Sequence, residues 1–362
     1  MNEHNRQDKK NAVVAMIDKV WELNDLPGLA VGVSGNGIDA LEVRGYSDYI
    51  QKTPLRTDHV FHFCSVSKLF VATAIMQLVE QDRLSLDDNL PALLPWFVPE
   101  DARYRRVTVR AALSHTAGIP DVSDYAWDRP ETDTEALRRY VSSDEVCRTP
   151  LLHGPGEAVY LVETDESKEP ERSAFCYSNI GFEMLGAVIA ERSGMPFEEY
   201  VRMHILDILG MSDSTFLTFL RPQERLAQPH EKEEDRDIAR LRHYPYNRAH
   251  APSSTLGSTL SDIRKFGDAF LGRNPALLSE ASYDLLWQRT ATVPNNGEGM
   301  GLTWFIRNQN GFALYGHEGT DDGFRSSFWL CPELSLQITV LSNLTGAKVK
   351  KICRQIFDAV TK

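Results

Sequence analysis

The sequence has few cysteines, and their arrangement is not that of a disulfide framework. Five occur in 362 residues, an odd number with no C-x-x-C pair, at Cys64, Cys147, Cys176, Cys331 and Cys353. Sparse and scattered thiols are typical of a reducing compartment. Residues 1–11 are polar and have no apolar core of the kind that a secretory signal needs, so the sequence predicts a cytoplasmic protein.

Positive charge and long hydrophobic runs are also lacking. Asp and Glu outnumber Lys and Arg by 51 to 39, which gives a formal net charge of −12. A chain without a basic field is not drawn to phosphates, so we expect neither nucleic acid nor a membrane as a partner. No stretch approaches the length of a membrane-spanning helix. The remaining composition, 42% hydrophobic and 25% charged, is that of a soluble globular protein.

Both ends of the chain combine strand and helix patterns. The predicted elements are, in chain order, a helix over residues 12–23, strands over 29–33 and 38–43 joined by a Gly-Asn-Gly turn, strands over 324–330 and 336–341, and a helix with an apolar stripe over 349–360. The middle of the chain is mostly helical in pattern. We therefore predict one α/β (α+β) domain, in which residues 12–60 and 285–362 form an antiparallel sheet flanked by helices and residues 61–284 form an inserted all-helical part.

The most informative stretch begins at Ser65, where an S-x-x-K sequence opens a helix that is apolar nearly all round. Within residues 69–79 the only polar side chains are Thr73 and Gln77, as in a buried helix. Ser65 and Lys68 share one face of the first turn. Because burial lowers the pKa of a lysine, Lys68 can take the proton of Ser65, and the helix N-terminus favours the resulting anion. The alternative is that Ser65 caps the helix while Lys68 snorkels to solvent.

A second helix start carries Tyr177 and Asn179. Residues 180–192 have a helical pattern that is ended by Gly194 and Pro196. Side chains just before a helix can point into a cleft, and a phenol near a lysine ammonium ionises more easily and can act as a base. The alternative is that Tyr177 is an aromatic residue at the end of a strand and that Asn179 is the helix N-cap.

A glycine-rich stretch beside a predicted strand contains His317, Gly319 and Thr320. Glycines there let the backbone approach a ligand closely. The alternative is a glycine-rich hairpin with a histidine on the surface.

Three short motifs of this chain, taken in order, resemble the three motifs of the penicillin-binding protein and serine β-lactamase superfamily. They are Ser65-x-x-Lys68, Tyr177-x-Asn179 and His317-x-Gly319. The chain is most similar to its class C β-lactamase-like branch of esterases, D-aminopeptidases and acyltransferases. Residues 113–120 resemble the LLSHTAGIP segment of that branch, and residues 193–211 and 254–266 resemble two further segments. The resemblance spans residues 12–360.

The resemblance implies a β-lactamase/transpeptidase-like fold and an acyl-enzyme that forms without a cofactor or a metal. Ser65 would attack a carbonyl, while Lys68 and Tyr177 would move its proton and later activate water. Asn179 would contact the acyl side chain of the substrate or Lys68. The backbone N–H groups of Ser65 and Thr320 would form the oxyanion hole.

One departure from the family pattern bears on the substrate. His317 stands where β-lactamases and DD-peptidases have a lysine that helps to bind the substrate carboxylate. With a pKa near 6.5, an imidazole is mostly neutral at pH 7.5 and would gain its charge near pH 5.5. The sequence therefore favours an esterase, or a peptidase that does not need that carboxylate, over a potent β-lactamase.

We predict a serine hydrolase that acts on a small-molecule ester or amide. The alternatives are a D-amino-acid peptidase or amidase, an acyltransferase, and a ligand-binding homologue that has lost catalysis. Two polar segments, residues 121–134 and 163–172, would line the cleft and set substrate choice, while residues 231–242 predict a surface loop or helix face. No G-x-S-x-G elbow is present, which argues against an α/β-hydrolase fold. Because an extended run puts His59 and His62 on opposite faces, with no fourth ligand beside Cys64, we predict no metal site.

Overall fold

The apolar patterns at the two ends of the chain become one sheet and two covering helices in the computed structural model, which describes residues 3–162, 171–232, 237–294 and 296–361. Within these residues the strands are β1 Gly28–Gly35, β2 Ile38–Asp48, β3 Thr53–Pro54, β4 Phe61–His62, β5 Tyr160–Val162, β6 Glu171–Ser173, β7 His230–Glu231, β8 Ala239–Arg240, β9 Gly257–Ser258, β10 Ala291–Thr292, β11 Gly299–Met300, β12 Phe305–Gln309, β13 Phe312–Asp321, β14 Phe324–Cys331 and β15 Leu336–Ser342.

The α-helices lie mainly between β4 and β10. They are α1 Glu3–Leu23, α2 Ser67–Glu80, α3 Leu90–Leu93, α4 Val109–Leu113, α5 Ala136–Val141, α6 Asp144–Arg148, α7 Asn179–Ser193, α8 Phe197–Val201, α9 Asp207–Leu209, α10 Ala251–Ser254, α11 Leu260–Leu271, α12 Glu280–Trp287 and α13 Val349–Thr361. Short 3₁₀ turns cover Cys64–Val66, Ala102–Arg106, Thr218–Leu220, Gln223–Arg225, Arg248–His250 and Pro332–Leu334, and a π-helical segment covers Arg202–Leu206. No described helix has both the length and the apolar character needed to cross a membrane.

One antiparallel sheet joins the two ends of the chain. Its strand order is β10-β11-β12-β13-β14-β15-β1-β2-β3, so the N-terminal hairpin pairs directly with the C-terminal strands. Leu29 of β1 lies opposite Ser342 of β15 on one side and Arg44 of β2 on the other. The predicted antiparallel sheet built from both termini is therefore confirmed.

Alternation along the central strands divides the core into two layers. Leu29, Val31 and Val33 of β1 face α1 and α13, whose apolar stripes cover that side of the sheet, whereas Ala30 faces the other side. Successive side chains of a strand point to opposite faces, so a buried central strand contributes to both layers. The second layer contains α11 and the inserted helices.

The inserted part is centred on α2, which is buried from Ser67 to Leu78. A helix apolar on every side can be stable only inside a protein, and α7, α8 and α10 surround this one. The sequence predicted that this helix begins at Ser65. In the structure Ser65 lies in a 3₁₀ turn, and α2 begins at Ser67. Packing of the helix start against β13 places the site between the two parts of the fold.

Two predicted surface loops contain strands. Residues 171–172, the end of the polar stretch 163–172, lie in β6, which pairs with β5, while residues 163–170 lie outside the described residues. In the charge run 231–242, β8 pairs with β7, and residues 233–236 lie outside the described residues. A third two-stranded ladder joins β4 to β9, so the inserted part is mainly helical but also contains short strands.

Candidate active site

Ser65 lies in a 3₁₀ turn that is fixed from both parts of the fold. The residue before it, Cys64, has a positive φ of 50°, a conformation that costs energy for a side chain other than glycine. The Ser67 hydroxyl donates to the Cys64 carbonyl at 2.6 Å and accepts from the Leu256 amide at 2.9 Å. The hydroxyl of Ser326 on β14 donates to the carbonyl of Phe63 at 2.7 Å. These bonds hold the turn so that Ser65 is only half-buried while its neighbours are buried.

The ammonium group of Lys68 is buried beside Ser65. Its Nζ lies 3.0 Å from Ser65 Oγ and donates to the backbone carbonyl of Ser253 at 2.7 Å, and the residue is 0% exposed. Burial lowers the pKa of Lys68 to about 8, although the charge of Glu183 opposes the change. The structure thus excludes the alternative in which Lys68 snorkels to solvent. A lysine with this pKa can act as a base close to neutral pH.

Tyr177 completes the group around the serine hydroxyl. The phenol hydrogen-bonds to Ser65, and the Lys68 Nζ lies 5.1 Å from the centre of the Tyr177 ring. Burial raises the pKa of Tyr177 far above its usual value, and the hydrogen bond to Ser65 only partly offsets this. The expectation that the phenol ionises more easily is therefore wrong: desolvation outweighs the nearby ammonium, and Tyr177 is neutral in the resting site.

His115 supports Tyr177 from behind, a contact that sequence reasoning missed. Its ring stacks on the Tyr177 ring with 4.2 Å between centroids, and its Nδ1 accepts from the Ser178 amide at 3.1 Å. The His115 carbonyl accepts from the Cys176 amide at 2.6 Å, which ties the two segments together. Burial lowers the pKa of His115 well below its usual value, so the ring is a neutral support. The sequence did contain a pointer to His115, because this residue belongs to the LLSHTAGIP-like segment.

Asn179 is the first residue of α7, and Ser178 is the N-cap, so the alternative that Asn179 caps the helix is wrong. The Ser178 hydroxyl accepts from the Gly181 amide. Asp121 holds Asn179 in place, because Asp121 Oδ1 accepts from its backbone amide at 2.8 Å and from its Nδ2 at 2.7 Å. Asn179 Oδ1 is buried with no hydrogen-bond partner among the described residues. The amide oxygen is therefore free to accept a bond from a ligand.

Gly319 brings β13 against the Ser65 turn. A Cβ on Gly319 would lie 2.1 Å from Ser326 Oγ and 2.6 Å from the Phe63 carbonyl oxygen, which no side chain could tolerate. Among the described strands, β12 pairs with β13 only as far as Gly316, so the next residues of β13 extend beyond it towards the site. Thr320 is exposed and lines the same cavity as Ser65, where its backbone can contribute to an oxyanion hole.

His317 is buried, which excludes the alternative of a surface histidine, and its ring is neutral, as expected near pH 7.5 but not near pH 5.5. It is 1% exposed, so it is not a surface histidine, and its Nδ1 donates to the Glu318 carbonyl at 2.5 Å. Burial and the nearby charge of Lys68 lower the pKa of His317 to about 3. The expected protonation near pH 5.5 is therefore wrong. Its Nε2 has no partner among the described residues, and the residue lines the cavity.

These residues surround one cavity of about 490 Å³. Five of the seven predicted site residues line this cavity, whereas Lys68 and Gly319 do not. The remaining lining includes three carboxylates and one lysine. The lining residues are Ser65, Asp121, Tyr125, Tyr177, Asn179, Asn296, Glu298, Phe305, His317, Glu318, Thr320 and Lys350.

Three potential metal ligands meet next to the serine turn. His62, Cys64 and Asp321 present ligand atoms within 4.8 Å of one another, while His59 points elsewhere and accepts from the Arg56 amide. The fold thus brings Asp321 to a position that the sequence could not indicate. His62 Nε2 donates to Asp321 Oδ2 at 2.8 Å, and burial raises the pKa of the Cys64 thiol well above its usual value. The Ser254 hydroxyl donates to the same carboxylate oxygen and the Cys64 thiol donates to the His62 carbonyl, so hydrogen bonds hold these three side chains together.

Sequence comparison agrees with this geometry. A model of the beta-lactamase family matches residues 13–360. The chain belongs to the beta-lactamase family. It is 25% identical over 321 residues to penicillin-binding protein 4* of Bacillus subtilis, a match that covers 84% of this chain and 64% of that protein. The chain therefore spans less than two thirds of the length of this relative.

Solved structures show the same fold. A D-amino acid amidase from Ochrobactrum anthropi SV3 superposes with a TM-score of 0.78 at 22% identity, covering 98% of this chain and 99% of the amidase. EstCE1, described as a hydrolase with promiscuous acyltransferase activity, superposes with a TM-score of 0.76 at 21% identity, covering 99% of this chain and 100% of EstCE1. At these identities the likeness establishes the β-lactamase/transpeptidase fold, as the resemblance implied.

Proposed function

We propose that this chain is a serine hydrolase that forms an acyl-enzyme on Ser65 and acts chiefly as an esterase. The observation that carries the proposal is the Lys68 amine, which lies 3.0 Å from Ser65 Oγ and has its pKa lowered to about 8. A nucleophile within hydrogen-bond reach of a base of suitable pKa is the minimum that nucleophilic catalysis requires.

Acylation begins with neutral Lys68. As Ser65 Oγ bonds to the carbonyl carbon of the substrate, its proton passes to the Lys68 amine. The backbone N–H groups of Ser65 and Thr320 donate to the oxyanion, and one such donor typically contributes ~3 kcal/mol to lowering the barrier. The bond from the carbonyl carbon to the leaving group then breaks, and the leaving group takes a proton.

Tyr177 is suited to deliver that proton. Its phenol is neutral and hydrogen-bonds to Ser65, so it can donate to the leaving group and recover a proton from the Lys68 ammonium. In deacylation the same path runs in reverse: water attacks the acyl carbon, its proton passes to the Tyr177–Lys68 pair, and Ser65 leaves with a proton. An alcohol or amine in place of water would give acyl transfer by the same steps.

Hydrolysis of an amide that carries an amine is a second candidate, favoured by the charge of the cavity. Asp121, Glu298 and Glu318 line it, and a protonated amine would be attracted to such a wall. One relative of the same fold is a D-amino acid amidase. Asn179, held by Asp121, offers an unpartnered oxygen to an amide or ammonium group.

A substrate panel separates these candidates. The panel comprises p-nitrophenyl butyrate, D- and L-phenylalanine p-nitroanilide and nitrocefin, with methanol as an added acceptor. The proposal predicts the highest kcat/KM on the ester, and the second candidate predicts it on D-phenylalanine p-nitroanilide. A methyl ester among the products would indicate acyl transfer. If purified enzyme neither turns over any member nor reacts with a fluorophosphonate, the chain is a binding homologue and the proposal is wrong.

A further inference from the structure

A carboxylate is buried behind Lys68, on the side away from the cavity. Glu183 of α7 is 0% exposed, and its Oε1 accepts from Ser253 Oγ at 2.6 Å and from His250 Nδ1 at 3.1 Å. Burying a carboxylate is costly even when it is hydrogen-bonded, and apolar packing at such a position is often at least as stable. Burial raises the pKa of Glu183, whereas the two donors on Oε1 favour the ionised form of the carboxyl group. The cost of keeping a charge here suggests a role in the reaction.

Ser253 links this carboxylate to the base. Its hydroxyl donates to Glu183, while its backbone carbonyl accepts from Lys68 Nζ at 2.7 Å. One residue thus connects the carboxylate to the amine that faces the nucleophile. His250 holds the other side of the carboxylate and is packed against the rings of Tyr125 and Tyr140 at 5.0 and 4.5 Å.

We propose that Glu183 is a positioning residue for the reaction at Ser65: its buried carboxylate fixes Ser253 and so the carbonyl that holds Lys68, and its charge sets the pH range in which Lys68 works as a base. The inference rests on the proposed function, because it assigns Lys68 the role of base. Ser253 and His250 do not form a second nucleophilic site, since the hydroxyl donates to the carboxylate and all three side chains are buried.

The negative charge of Glu183 is the physical reason why this residue sets the pH range in which Lys68 works as a base. Burial lowers the pKa of Lys68, and the charge of Glu183 is the first of the influences that raise it, ahead of Asp121, Asp321 and Cys64. Removing that charge leaves burial less opposed, so the pKa of Lys68 must fall.

Five other titratable groups near this pair stay in one state near neutral pH. On the cavity side of Lys68, burial keeps the rings of His115 and His317 neutral, because it lowers the pKa of both. The phenol of Tyr177 stays protonated because burial raises its pKa, and the same holds for Tyr125 and Tyr140 beside Glu183 and His250. Changes in the pH profile can therefore be assigned to Lys68 and to the hydrogen-bonded pair of Glu183 and His250.

The experiment follows the rate of fluorophosphonate labelling of Ser65 against pH, which needs no knowledge of the substrate. In wild type the rate should rise with pH through an acid limb near the pKa of Lys68, because only the neutral amine accepts the serine proton. Glu183→Gln should move this limb to lower pH by on the order of one unit. A merely structural role would lower the rate without moving the limb.

Two further variants make the test specific. Ser253→Ala keeps the carboxylate but breaks the link, so it should slow labelling by about tenfold or more without moving the limb. Glu191→Gln makes the same charge change at an exposed position of the same helix and should behave as wild type. Melting temperatures report whether each variant is folded.

The outcomes separate the inference from the function. Absence of Ser65 labelling in wild type would overturn both. A labelled wild type and a folded Glu183→Gln variant with an unmoved limb would overturn the inference alone. If Glu183→Gln does not fold, the labelling rate of Ser253→Ala tests the inference instead. A wild-type labelling rate in that variant would overturn the inference.

Discussion

Two regions around the cavity differ in how firmly they hold their charged groups. The catalytic wall, which we define as Ser65, Lys68, Tyr177 and His317, consists of groups placed by burial and by contacts with neighbouring elements. The charged rim, defined as Asp121, Glu298, Glu318 and Lys350, includes groups that reach solvent. Lys350, for example, is 38% exposed in its ion pair with Glu298 at 3.2 Å, whereas Lys68 is 0% exposed.

Under the proposed function, this difference separates the residues that carry out the reaction from those that set the substrate preference. Burial lowers the pKa of Lys68 to about 8 and that of His317 to about 3, and under the proposed function these residues determine the reaction type. Partly exposed ion pairs are screened by solvent and contribute about 0–1 kcal/mol each. Exchanges at the rim should therefore alter which substrate is preferred without altering how it is cleaved.

The largest expected effect comes from the two proton carriers of the wall. Lys68→Ala and Tyr177→Phe should each lower kcat/KM for p-nitrophenyl butyrate by roughly three orders of magnitude or more, because each removes one step of a shared proton path. The double variant should lose little more than either single one, since coupled groups are not additive. If the decrease in kcat/KM of the double variant equals the product of the two single decreases, the two residues act in separate steps.

An intermediate effect is expected at His317, which belongs to the wall but also faces the substrate. His317→Lys places a cation where β-lactam-processing relatives have one, so the ratio of kcat/KM for nitrocefin to that for p-nitrophenyl butyrate should rise about tenfold. Wild type should cleave nitrocefin poorly at every pH from 5 to 8, because the pKa of His317 is lowered to about 3. A nitrocefin rate in wild type that increases as the pH falls to 5.5 would contradict this account.

The smallest effect is expected at the rim. Lys350→Ala should change kcat/KM for p-nitrophenyl butyrate by less than about threefold, because Arg354 still donates to Glu298 at 2.8 Å when Lys350 is gone. The matched comparison is the same variant with p-nitrophenyl hydrogen succinate, an anionic ester, for which a several-fold rise in KM is expected. Equal changes for the two esters would mean that the wall and the rim are not separable.

The sequence predicted the parts of the site that depend on short spacings. Ser65 and Lys68 are three residues apart, and Tyr177 lies two residues before α7, so periodicity and motif order indicated both. The strands at the two ends were likewise predicted from local alternation, and their meeting in one sheet is confirmed.

What the sequence could not predict depends on contacts between distant segments. The contact of Asp121 with Asn179 spans 58 residues, and that of Glu183 with Ser253 spans 70. The pKa directions of Tyr177 and His317 were predicted wrongly or not at all, because they follow from burial, and burial is a property of the folded chain.

The central claim, that Ser65 is the nucleophile activated by Lys68, is tested most directly by locating the covalent adduct. Intact mass and peptide mapping after reaction with a fluorophosphonate should show one adduct on Ser65 in wild type. Ser65→Ala should show none, and Ser67→Ala, the matched control two residues away, should keep it on Ser65. An adduct on Ser67 or any other residue, or labelling that survives in Ser65→Ala, would contradict the account.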